Sequence, residues 1–137
     1  MSVAVAHQVS PTGEPALTLG AKEAALRSTG LAVIHVVAAI DLDSAEAHRA
    51  GISDAVEKVL ARAGLQSLEW DLHLVAGGTD INDVTSAILD QVRAIGPDIL
   101  VIGARRRSPV GKAFLGSVTQ DVLLQADVPV LVVKSPR

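Results

Sequence analysis

The stretch Ile99-Leu100-Val101-Ile102-Gly103-Ala104-Arg105-Arg106-Arg107-Ser108-Pro109-Val110-Gly111-Lys112-Ala113-Phe114-Leu115-Gly116-Ser117-Val118-Thr119 holds two signals in sequence. It opens on a continuous apolar run of strand length, and it closes on Gly-Ser at the head of a segment that carries Val118 and Val122 at helical spacing. An apolar run without alternation is what a strand covered on both faces requires, and such strands belong to parallel sheets made of strand-helix-strand units. The stretch therefore predicts a fourth strand, Ile99 to Ile102, that crosses into a fourth helix beginning at Ser117.

Working outward, the same alternation of strand and helix extends to both ends. Val130 to Val133 is a fifth strand, again continuously apolar. Upstream, a third helix from Thr79 or Asp80 buries Val84, Ile88 and Val92 and stops at Gly96-Pro97. The third strand, Leu68 to Val75, alternates Leu68, Trp70, Leu72 and Leu74 with Glu69, Asp71 and His73, which predicts one wet face at a sheet edge. Ile52, Val56, Val59, Leu60 and Ala63 mark a second helix ended by Gly64, and the polar segment Asp43 to Arg49 before it reads as a loop or frayed turn. Leu31 to Ala38 is the second strand and Val3 to His7 the first. Between them, Gly13-Glu14-Pro15 opens an Ala-rich first helix, with Gly30 just past its end. Without linker or repeat, the pattern predicts a single α/β domain over residues 1–137.

Composition narrows the function. Against 12 Lys+Arg stand 15 Asp+Glu, a formal charge of −3, and Trp70 and Phe114 are the only aromatics. Neither the positive field nor the stacking rings of a general nucleic-acid binder are present, so no nucleic-acid partner is expected. The absence of Cys removes thiol catalysis, disulfides and Cys-based zinc sites. Leu31 to Ile40, the longest apolar run, is far short of a bilayer span and is interrupted by His35, so no membrane partner is expected. The opening Met-Ser-Val-Ala-Val has no basic residue ahead of an apolar stretch and reads as a strand start and not an export signal, so a cytoplasmic protein is the expectation.

A glycine at the end of a buried strand, a basic loop and Gly-Ser opening a helix form an anion site. The N–H groups of a first helical turn point where the positive end of the helix dipole lies, and a phosphate accepts from both. Ser117 and Thr119 add hydroxyl donors, and Arg105 to Arg107 with Lys112 add positive charge. Taken singly, Ser117 reads as an ordinary N-cap and the arginines as a solvated run; their combination after a buried strand is what points to phosphate. A P-loop is excluded, because Arg106 stands where its first glycine belongs and Ala113 where magnesium needs Ser or Thr. No Gly-x-Gly-x-x-Gly follows the first strand, which excludes the dinucleotide fingerprint.

With this order of elements, Val33-Ile34-His35-Val36-Val37, the Gly103 to Ser117 loop and Val128-Pro129-Val130-Leu131-Val132-Val133 resemble the universal stress protein family over nearly the whole chain. The family's ATP-binding pattern is Gly, two residues, Gly, nine residues, Gly, then Ser or Thr. Gly103, Gly116 and Ser117 fall at that spacing, and Arg106 replaces the second glycine. Aligned on Ser10, Thr12 and Ala16-Leu17, Gln8 stands where ATP-binding members carry an Asp. A Gln amide both donates and accepts but offers no charge.

The resemblance implies an open parallel sheet of order 3-2-1-4-5 with helices on both faces, a Rossmann-like fold of the adenine nucleotide alpha hydrolase type. It implies ATP at the carboxyl ends of the first and fourth strands, with magnesium held through the phosphates. Gln8 would meet the adenosine portion and Val36 would offer backbone groups to the adenine. Gly103, Arg105, Arg106, Gly116, Ser117, Val118 and Thr119 would surround ribose and phosphates. The fifth strand is too apolar for an uncovered edge, so it is expected to pair two copies as a homodimer. Arg106 and Gln8 also leave open a second expectation, a dimeric scaffold or regulatory partner that carries no nucleotide.

His7 ends the first strand beside the expected crevice, His35 reads as a hydrogen-bonded core residue, and His48 and His73 read as surface residues. The four histidines lack metal-ligand spacing. Asp80 and Asp83 suit a helix start; Asp121 falls one turn into the fourth helix and Ser117 could accept a phosphoryl group, but no residue beside the loop serves as a base, so at most slow ATP hydrolysis or autophosphorylation is expected.

Overall fold

The structure, a computed structural model, describes residues 2–7, 13–38, 45–77, 80–104 and 116–134. The strands are β1 (Ser2–Ala6), β2 (Gly30–Ala38), β3 (Trp70–Gly77), β4 (Ile99–Ala104) and β5 (Val130–Lys134). Between them lie α1 (Glu14–Leu26), α2 (Ala45–Arg62), α3 (Ile81–Ile95) and α4 (Ser117–Gln125). All strand pairs are parallel and the order is β3-β2-β1-β4-β5, as the resemblance implied.

Because successive side chains leave a strand on opposite faces, the sheet separates two cores. Val3, Val5, Leu31, Val33 and Val101 meet α1 and α2 through Leu17, Ala21, Val56 and Leu60. Ala4, Ala32, Ile34, Leu100 and Ile102 meet α3 and α4 through Ile88, Val92 and Val122. The central strands are sealed on both sides, with Val3, Val5, Val33, Leu100 and Val101 at 0% exposure.

Where the structure departs from the sequence reading, tertiary contact is the reason. Residues 45–50 are the first turns of α2 rather than a loop, so this helix begins ahead of its apolar repeat. The first helix does not wait for Gly30, which already belongs to β2. Ser28 adopts φ 56°, with its N–H donating to the Ala25 carbonyl and the Thr29 N–H to that of Ala24. That is a Schellman stop with serine in the place usually taken by glycine. The polar face of β3 is partly covered by α3. His73, read as a surface residue, is half-buried, 2.9 Å from Asp71 and 3.0 Å from the Gln91 side chain. Asp80 caps α3 by accepting from the Asn82 N–H at 3.2 Å, in keeping with its reading as a helix-start residue.

Candidate functional site

In an open sheet of this order, the helix connections turn to opposite faces between β1 and β4, which leaves a crevice above their carboxyl ends. Ala6 and Ile102 are register partners at the top of that seam. From there the chain leaves β1 at His7, while Gly103 and Ala104 finish β4 against β5.

Gly116, not Ser117, occupies the N-cap of α4, at φ 79° and ψ 150°. That backbone region is essentially open to glycine alone. A Cβ built there meets nothing within 4 Å, so the conformation rather than crowding calls for glycine. Ser117 becomes the first helical residue and is exposed. The first bond of the helix runs from the Gln120 N–H to the Gly116 carbonyl at 3.0 Å. The N–H groups of Ser117, Val118 and Thr119 precede it and lie at the positive end of the helix dipole.

Thr119 departs from its reading as a free hydroxyl donor. It is 8% exposed, and its Oγ1 donates to the Gly103 carbonyl at 2.9 Å. The hydroxyl ties the first turn of α4 to the end of β4, so Thr119 fixes where the amides sit. Val118 packs, half-buried, against the α3 and α4 core.

Val36 lies in the upper part of β2, paired with Val75 of β3. The Leu31 N–H donates to the carbonyl of Glu69, the residue just before β3, whereas the Ile34 carbonyl accepts from the His7 N–H on the β1 side. Backbone groups alternate along a strand, so those of Val36 turn toward the β1 side, above the point where β1 has ended. Gly77 makes this end of the sheet tight: a Cβ on it would stand 2.5 Å from Val36 Cγ1. The sequence reading did not single out Gly77, and nothing in a lone glycine at a strand end announces a neighbour from another strand.

The structure thus gathers Gly103, Gly116, Ser117, Val118 and Thr119 around one seam, with Val36 one strand away from β1. Gln8, Arg105 and Arg106 lie outside the described residues. Two histidines also stand here: His7 and His35 have ring centroids 5.6 Å apart. Burial, followed by the nearby His35, pushes the His7 ring down to about 4, and burial also lowers His35. Both are therefore neutral at pH 7. Among the described residues no group of three or more His, Cys, Asp or Glu is arranged to hold a metal ion, and no helix is long and apolar enough to cross a membrane.

The sequence matches the universal stress protein family over residues 1–134. It is 36% identical over 132 residues to a universal stress protein of Mycolicibacterium smegmatis, covering 96% of each chain. Among solved structures, a universal stress protein from Archaeoglobus fulgidus superposes with a TM-score of 0.76 at 29% identity, covering 96% of this chain and 97% of the other. A second structure from that organism, in complex with dAMP, superposes with a TM-score of 0.70 at 24% identity over 96% of each chain.

Proposed function

The chain belongs to the universal stress protein family, and from that premise we propose that it is a cytoplasmic stress-response protein that binds ATP above the carboxyl ends of β1 and β4. The observation that carries the reading is the Thr119 bond to Gly103, which holds the amides of Ser117, Val118 and Thr119 over the seam. Those amides and the Ser117 hydroxyl would hold the phosphates, in the manner of anions at helix N-termini. The glycine-only conformation of Gly116 suits such a group, because it leaves the space beside the helix start without a side chain. The Val36 backbone would meet the adenine, and Gln8, Arg105 and Arg106 would close the site. Magnesium, where present, would be held by phosphate oxygens. The dAMP complex of the Archaeoglobus fulgidus relative supports an adenine nucleotide as the ligand class.

Binding would bias a homodimer formed through β5. The two sheet edges differ in a way that supports this assembly. At the β3 edge, Arg49 of α2 reaches across to the Leu72 carbonyl at 3.4 Å, placing a charge on the strand. At the other edge β5 presents Val130, Leu131, Val132 and Val133, all half-buried, and α4, which leads into it, exposes Leu124 at 74%.

Titration calorimetry with ATP and magnesium tests the site. Saturable binding below millimolar nucleotide is expected, and absence of heat up to that concentration would leave a dimeric scaffold in its place.

A further inference from the structure

Two imidazoles stand together on the α1 and α2 side of the sheet, where β1 gives way to His7 beside β2. Continuing the register past Ala6 and Ile34 makes His7 and His35 neighbours, and their ring planes are tilted by 49°. His7 is 8% exposed, and the Nδ1 atoms of both rings are buried with no hydrogen-bond partner. The His35 ring does meet the His7 backbone through a hydrogen bond. A buried polar atom without a partner works against stability, and the nucleotide contacts proposed above use neither ring.

We propose that His7 and His35 form a proton-operated latch on the carboxyl ends of β1 and β2, closed while both rings are neutral and opened when the pair takes up a proton. It rests on the nucleotide reading only for its consequence, release of the ligand held above it. An imidazolium is poorly accommodated here: its new donor would lie in a buried setting beside a second ring. Among the described residues, α1 and α2 carry further charged groups, of which His48 is the one that acts on the pair. His48 and Arg49 lie on α2, and Glu14 on α1 is held by Arg62 at 2.6 Å. β3 presents Leu74 opposite His35, and β4 continues with Gly103 beside His7. His48 opposes a charge on His35, so it adds to the latch rather than neutralising it. Turning a charged ring to water pulls on the His7 N–H bond to the Ile34 carbonyl, 2.8 Å long, which is the last backbone-to-backbone tie between the two strands among the described residues.

Amide exchange at residue 7, read by NMR from pH 7.5 to 4.5 and corrected for intrinsic chemistry, tests the latch without nucleotide. The open ring takes its proton near 6.5 and the closed ring near 4, so the opening constant should rise by up to about tenfold per pH unit below 6.5. In His7→Leu that slope should vanish, and His35→Leu serves as a second variant if the first does not fold. ATP affinity should fall over the same range in the wild type more steeply than in the variant, which controls for titration of the nucleotide itself. A flat exchange profile, an equal slope in the variants, or rings that titrate at 6.5 while the amide stays protected would each overturn the latch. Unchanged ATP affinity across the opening would overturn its coupling to ligand. Failure to bind ATP at pH 7.5 would instead count against the nucleotide reading, with the exchange data still deciding the latch.

Discussion

At Gly116 the φ of 79° and ψ of 150° set the direction in which α4 departs from the loop. Gly116→Ala should cost about 1–3 kcal/mol through backbone strain alone, because the added Cβ meets no neighbour. Thermal unfolding should show a lower Tm, and calorimetry a weaker ATP affinity as the amides turn away; unchanged values for both would mean that the loop adapts. His7 gives the second prediction at this scale. The unfolded chain binds a proton there near pH 6.5, and the folded protein only near 4. Between those values the unfolded state holds the extra proton, so stability is complete above 6.5 and is lost as pH falls toward 4. The loss amounts to about 1.4 kcal/mol per unit and about 3 kcal/mol in all. Urea unfolding at pH 7.5 and 4.5 should show it, and His7→Leu should remove that share.

Among the elements, helix stops were readable because each depends on a few adjacent residues. Gly64 and Gly96 fall where α2 and α3 end, with φ of 72° and 63°. The exception is α1, where Ser28 holds the left-handed position and Gly30 has passed into the sheet. A serine at that position carries a Cβ penalty that glycine escapes. Ser28→Gly should therefore stabilise the protein by about 1 kcal/mol and raise Tm by roughly 4 °C. A lower Tm would show that the serine side chain is needed at the stop. The start of α2 was missed because residues 45–50 precede the apolar repeat that announces the rest of the helix. At α4, serine is so frequent an N-cap that the sequence points to Ser117, yet Gly116 takes the position once Thr119 is pinned to Gly103.

For the whole molecule, the contrast between a charged β3 edge and an apolar β5 edge makes assembly through β5 the prediction that matters most. Val132→Lys places a charge on that edge, and sedimentation should shift from dimer to monomer with helix content retained; a wild-type chain that sediments as a monomer would remove the proposed interface. Periodicity and residue type along the chain determined the five strands and four helices found among the described residues, because these features depend on neighbours within one or two turns. The two strand-covered cores followed from the same pattern. What the chain could not announce was the meeting of residues distant in sequence. The His7 and His35 pair, the approach of Gly77 to Val36, and the conversion of Thr119 from ligand donor to structural tie all depend on strand register and on how a helix docks on the sheet. Those placements are fixed only when both cores close together, since burial of one face decides which atoms of the other are brought into contact.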